Sequence, residues 1–469
     1  MHIVLKNGFE VPPYPAKPLA IDLALIVRTL ASQRSASRLS SRIEGYESQG
    51  QARVLGLHPF SLRGGRAFIG NQFAQGAAAE ITAQAGGVAM AIPLEGETAI
   101  GHARDVLIRL PPAPVSVRVT DQWLGRVFDP LLRPLDGGGI LPSGDVPYPI
   151  YALPPAPGRR RALGPRMNTG VRAINLFATC RMGQKIGIFA GSGVGKSSLL
   201  SMILRQAEYD VSIIALIGER GREVREFVEN QLGCNALRQA IVIVATSDTS
   251  AMIRRDAAYT AMAVAEAFRD RDRSVLLLID SITRYCVALR EIGLRSGEPP
   301  ASRGYPPGVF SELARLMERA GPGLTSSSPR GSITAFFNVL VEGDDLTEPV
   351  SDAARGILDG HIILDRRIGE AGRYPAVDVL RSLSRTTSGC NSEEDNTLVN
   401  QAREALSISA SLEALRGLGA YQKGADPRVD STLQIAMMLN KFLQQSIHEG
   451  CDPVTDFRGL ATVLSSREM

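Results

Sequence analysis

The chain has 469 residues, 44% of them apolar, and a formal net charge of +4 at pH 7. That length exceeds one ordinary hydrophobic core and points to about three domains. The small positive charge is spread without a long basic block, so composition favours a soluble, near-neutral enzyme and does not demand a nucleic-acid partner. Five cysteines (Cys180, Cys234, Cys286, Cys390 and Cys451) lie far apart, without the paired spacing of a zinc site, a redox dithiol or a disulfide framework. A reducing cytoplasm fits them. The first residues lack a charged head followed by an apolar secretory core, and nowhere do about eighteen apolar residues run unbroken.

In chain order, Ala20 to Leu30 has helical apolar spacing and little charge, and reads as a partner-binding or membrane-surface helix or as a short helix packed on its own domain. From about Ser40 to Leu110, short apolar runs separated by glycine, such as Val88 to Ile92, suit a small β-barrel or sandwich. Pro111 to Pro114 and Leu141 to Arg166 are rich in proline, glycine and arginine. They read as connecting segments that bound a junction near residue 150. From Lys185 onward, strand-like runs (Ile186 to Phe189, Val211 to Ile217, Ala240 to Ala245, Val275 to Ile279, Ile333 to Val341) alternate with amphipathic stretches, the pattern of a mainly parallel sheet covered by helices. After about Thr386 strand signals fade, and Asn396 to Leu418 and Val429 to Gln445 read as helices of a small α-domain.

Between the first of those strands and the helix that follows lies Ala190-Gly191-Ser192-Gly193-Val194-Gly195-Lys196-Ser197-Ser198. Small residues let the backbone curl so that successive N–H groups face phosphate oxygens. Lys196 reaches the outer phosphates, and Ser197 supplies a hydroxyl to Mg²⁺. The helix from Ser198 to Arg205 turns its positive dipole end toward the anion. This is a phosphate-binding loop for a nucleoside triphosphate, with Ala190 where the strict motif has glycine. Val275-Leu-Leu-Leu-Ile-Asp280 is a buried-strand run ending in a carboxylate, which places Asp280 beside the loop to share the Mg²⁺ shell with Ser197. A second strand runs into Gly218-Glu219-Arg220, where Glu219 is the natural water-polarising group and Arg220 a cation for developing charge. Taken alone, that segment reads first as a solvated charged turn.

The stretch Ala215-Leu-Ile-Gly-Glu-Arg-Gly-Arg-Glu-Val-Arg-Glu-Phe-Val-Glu229 resembles the signature of flagellar and type III secretion export ATPases, relatives of the catalytic subunit of rotary ATP synthases. Gly125-Arg-Val-Phe-Asp, Gly170-Val-Arg-Ala-Ile-Asn, Asp280-Ser-Ile-Thr-Arg-Tyr, Gly297-Glu-Pro-Pro-Ala-Ser-Arg-Gly-Tyr, Gly331-Ser-Ile-Thr-Ala-Phe-Phe and Tyr374-Pro-Ala-Val-Asp with Ser384-Arg385 match in order, covering most of Gly125 to Arg385. The first 50 residues match poorly, as does the Thr-Thr-Ser-Gly-Cys that follows Arg385. The resemblance implies an α/β fold: a RecA-like P-loop ATPase core with an N-terminal β-barrel and a C-terminal α-helical domain. The expected divisions are a partner-binding segment at 1–35, the barrel at 36–110, the ATPase domain with its entry linker at 111–385 and the helical domain at 386–469.

It also implies ATP and Mg²⁺ as ligands, Lys196 and Ser197 as the loop's lysine and metal hydroxyl, Glu219 as catalytic carboxylate, Arg220 as a phosphate contact and Asp280 as the second acidic motif. Arg385 matches the arginine inserted into a neighbouring subunit's site. Tyr374 matches an aromatic that stacks on adenine, although a core tyrosine beside a proline turn is an equal reading. The implied protein is a homo-hexamer, cytoplasmic and peripheral to the inner face of the cytoplasmic membrane. Its implied partners are an export regulator, a stalk protein, chaperone-substrate complexes and a membrane export gate, with no nucleic acid. Leu141-Pro-Ser-Gly-Asp-Val-Pro-Tyr-Pro and Phe177 to Gln184 look more like the flagellar than the injectisome branch. A hexameric RNA translocase would carry aromatics interleaved with basic residues on its barrel. Residues 40–110 hold only Tyr46, Phe60, Phe68 and Phe73, without that interleaving. A rotary ATP synthase subunit is the remaining alternative.

Overall fold

The computed structural model describes residues 115–324, 331–417, 421, 424 and 426–465, together with the segments 4–5, 9–10, 39–46, 52–55, 66–70, 77–85, 88–94 and 106–109. The Ala20 to Leu30 helix of the sequence reading lies outside the described residues. Six antiparallel strands, β1 (Leu39–Tyr46), β2 (Ala52–Leu55), β3 (Arg66–Gly70), β4 (Ala77–Ala85), β5 (Val88–Pro93) and β6 (Val106–Arg109), form a closed barrel in the order β1-β2-β5-β4-β3-β6. Closure leaves no unpaired strand edge, which is how so small a sheet avoids edge-to-edge association.

The larger unit is a nine-stranded sheet. Along it run β7 (Val127–Phe128), β10 (Ala240–Ala245), β9 (Val211–Ile217), β11 (Ser274–Asp280), β12 (Ser332–Leu340), β8 (Lys185–Ala190), β13 (Gly360–Leu364) and β14 (Leu383–Ser384), with Gly321–Pro322 pairing on β12 off this path. All neighbours from β7 to β13 are parallel, and only β14 and the 321–322 pair run antiparallel. Strands β8, β9 and β10 are buried at every position, so both faces are covered and the sequence shows uninterrupted apolar runs rather than alternation. Ligand sites in such sheets form outside the C-terminal strand ends, where strand order changes direction. Here β8, β9 and β11 deliver Gly191, Gly218 and Asp280 to one rim.

The Pro/Gly-rich segment before Arg166 does not mark a boundary near residue 150. Val127–Phe128 already pairs with β10, and Val119, Trp123, Phe128, Leu141 and Ile150 are buried in the same core as the sheet. Proline and glycine there specify irregular backbone lying on the core, with the Trp123 indole donating to the Pro142 carbonyl at 2.7 Å.

Helices cover both faces: α2 (Lys196–Gln206) on one, α4 (Ala251–Arg269) and α5 (Ile282–Arg295) on the other. Arg255 on α4 makes a bidentate bond to Glu80 of β4, at 2.9 and 2.5 Å, and Ser250 Oγ donates to the Leu94 carbonyl at 2.6 Å. Both members of the Glu80 pair are buried, so they fix the barrel's register on α4 more than they add net stability. At the chain's end α6 (Glu393–Gly417), α7 (Pro427–Leu443) and α8 (Pro453–Ser465) pack together against the short helix α1 (Arg172–Phe177). Arg172 anchors them, bonding Glu449 at 2.7 Å, Asp456 at 3.1 Å and the Phe442 carbonyl at 2.6 Å. No helix among the described residues is long and apolar enough to cross a membrane.

Candidate active site

The loop that joins β8 to α2 turns through Gly193 and Gly195, at φ +76° and +90°, backbone values that L side chains rarely adopt. A side chain at Gly195 would also press on the Tyr374 ring, 3.3 Å away, and one at Gly191 would meet the Asp344 carboxylate. Arg366 braces the outside of the loop, donating to the Ser192 carbonyl at 2.9 Å with Asp344 3.8 Å from its guanidinium. The loop is thereby a bare backbone cradle, and α2 begins at Lys196 directly behind it.

At the rim, Lys196 Nζ donates to Asp280 Oδ1 at 2.8 Å and lies 3.7 Å from Glu219 Oε1. The three side chains are 6 to 18% exposed, so one ammonium faces two carboxylates in a largely water-excluded corner. Such a corner suits a further cation, and Ser197 and Asp280 offer the hard oxygen donors Mg²⁺ takes. No group of three or more His, Cys, Asp or Glu side chains poised for a metal occurs among the described residues.

Glu219 follows Gly218, whose φ of +72° ends β9 and whose missing side chain leaves room for Arg284 of α5 at 3.0 Å. Burial pushes the Glu219 carboxyl up to about 7. Lys196 opposes that rise, while Asp280 and a hydrogen bond donated to Glu223 add to it. Glu223, more exposed and bonded to Glu219, is pushed down. The pair therefore holds its shared proton on Glu219, which titrates near neutrality and is poised for proton transfer or water orientation.

Arg220 is brought to the same turn but stays exposed at the start of helix α3 (Gly221–Glu226). Tyr374 is 47% exposed, with its ring beside Gly195, and its carbonyl accepts from the Gln445 N–H at 2.9 Å. Arg385 is not brought to the loop. It is exposed beyond β14, with its N–H on the Asp359 carbonyl and its guanidinium on the Arg355 carbonyl at 3.2 Å. Register explains this: Ser384 pairs Gly360, which pairs Ile186 at the start of β8, while the loop leaves from β8's other end. About four or five residues at ~3.3 Å each separate them, roughly 15 Å.

Sequence reasoning missed Asn338, which pairs with Asp280 in register and donates to its Oδ1 at 2.5 Å. The available signal was one amide in the otherwise apolar end of β12. It also missed Glu223 as the partner of Glu219, and the Asp344–Arg366 brace.

Residues 170–384 match the model of the ATP synthase alpha/beta family, nucleotide-binding domain, and residues 391–462 match that of the T3SS EscN ATPase C-terminal domain. The chain is 48% identical over 379 residues to the flagellum-specific ATP synthase of Caulobacter vibrioides, covering 80% of this chain and 84% of that one. It is 47% identical over 341 residues to the type 3 secretion system ATPase of Sinorhizobium fredii, covering 73% of each. Among solved structures, the assembled ATPase EscN in complex with its central stalk EscO, from the enteropathogenic E. coli type III secretion system, superposes with a TM-score of 0.79 at 36% identity. That match covers 90% of this chain and all of the other.

Proposed function

Since this chain belongs to the family of flagellum-specific ATP synthases and type III secretion ATPases, we propose that it hydrolyses ATP to energise protein export during flagellum assembly. The observation that carries this is the Lys196–Asp280–Glu219 cluster at the rim of a phosphate cradle. Gly191 to Gly195 bind the phosphates through backbone N–H groups, Lys196 turns its ammonium to the outer phosphates, and Ser197 and Asp280 hold Mg²⁺. The ion supplies charge neutralisation across the phosphate oxygens when bound. Glu219 orients and polarises the attacking water, Arg220 contacts phosphate and Tyr374 stacks on the base.

The assembled EscN in complex with its central stalk EscO supports an oligomer that binds a stalk protein. In this reading the oligomer is a six-membered ring on the inner face of the cytoplasmic membrane, where it meets an export regulator, strips chaperones from substrates and hands them to the export gate. Arg385, roughly 15 Å from its own loop by strand register, completes a neighbour's site. The Sinorhizobium fredii relative supports a second reading, injectisome secretion with the same chemistry. Deleting the encoding gene distinguishes the two. The flagellar role predicts loss of filaments with unchanged growth and recovery on re-supply, whereas intact filaments with lost effector secretion would overturn it in favour of the second.

A further inference from the structure

Asn338 stands at the seventh position of β12, fully buried, directly across from Asp280 of β11. Its Nδ2 donates to Asp280 Oδ1 at 2.5 Å, on the same oxygen that receives Lys196 Nζ at 2.8 Å. Only the amide nitrogen can face a carboxylate oxygen favourably, so the chemistry fixes which way the carboxamide points. Its carbonyl Oδ1 is consequently turned elsewhere, and it is buried with no hydrogen-bond partner. An acceptor left bare on a side chain that bonds Asp280 is a position where a donor is expected when the site is filled.

We infer that Asn338 is a positioning residue for the divalent cation: its amide holds Asp280 by Oδ1 so that Oδ2 serves the Mg²⁺ shell, and its carbonyl accepts from a water of that shell. This rests on the Mg²⁺-ATP reading above. A leucine here would keep the branching at Cγ while removing both polar functions, and a threonine would keep a donor and an acceptor on a side chain that suits a strand.

The test is equilibrium binding of a fluorescent ATP analogue to the full chain, with Mg²⁺ and with EDTA, alongside melting temperature. For Asn338→Leu the Mg²⁺-dependent gain in affinity falls by about tenfold or more, the usual size of an outer-shell loss, while EDTA affinity holds within about twofold. Asn338→Thr recovers most of the gain. An undiminished Mg²⁺ gain in Asn338→Leu overturns the assignment, as does equal weakening with and without Mg²⁺, which would mark a merely structural role. If Asn338→Leu does not fold, Asn338→Ala decides by the same readings: a lost Mg²⁺ gain with EDTA affinity held supports the assignment, and an undiminished gain overturns it. Wild-type binding indifferent to Mg²⁺ would remove the ATP-Mg²⁺ reading itself, and this assignment with it.

Discussion

Replacing Glu219 with glutamine is expected to lower the ATP hydrolysis rate by about 10²–10³-fold, roughly 3–4 kcal/mol of transition-state stabilisation, while nucleotide binding survives. Glutamine preserves shape and hydrogen bonding but cannot take a proton or hold negative charge beside a water. In the proposed reading Lys196, the loop backbone and Tyr374 carry binding, and none of them is replaced. The environment of Glu219 adds a pH signature. Burial, Asp280 and Glu223 raise its carboxyl to about 7 against the pull of Lys196, and the working form is the ionised one. As pH falls through about 7 the carboxylate gains a proton, so kcat/KM falls on the acid side with a midpoint near that value instead of near 4. In Glu223→Ala the bond that favours the protonated Glu219 is lost, and the acid limb moves to lower pH. A profile flat from pH 8 to pH 5 in the wild type would contradict this assignment.

Arg385→Ala is expected to remove about 10³-fold or more of the rate, the size reported by removal of arginine fingers, without weakening nucleotide binding to the altered chain. Its guanidinium lies at the opposite end of β8 from the phosphate loop, too far for an arginine side chain to return to its own site. The effect must therefore arise between copies. Mixing Arg385→Ala with Lys196→Ala checks this, because each variant lacks a different half of a shared site. Mixed assemblies should recover a fraction of wild-type hydrolysis that neither variant shows alone. A mixture as inactive as its components, with assembly intact, would place Arg385 outside the reaction.

The sheet was legible wherever a strand is buried on both faces over five or more residues, as in Val211–Ile217 and Ser274–Asp280, because the run itself is the signal. Gly360–Leu364 escaped notice: it opens Gly-His and offers only three apolar residues, and its strand identity comes from pairing with β8. The helix Pro453–Ser465 likewise depends on docking to α1 and its neighbours. Glycines followed by Gly-Lys-Ser announce a phosphate loop locally, and a strand ending in Asp or in Gly-Glu announces the carboxylates. Asn338 could not be read that way, since its meaning comes from register with a residue 58 positions away. The raised carboxyl of Glu219 was hidden for a related reason, being set by burial and by the convergence of three elements. Arg385 came from resemblance alone; strand register shows only that it lies at the far end of β8 from its own loop.

The most direct test of the central claim, that the phosphate loop and its carboxylates form one hydrolytic centre, is steady-state phosphate release by the purified chain at saturating Mg²⁺-ATP, comparing wild type with Lys196→Ala and Glu219→Gln. The predicted result is turnover by the wild type and near-background release by both variants, with ATP still bound by Glu219→Gln. Hydrolysis that survives both substitutions would contradict the account.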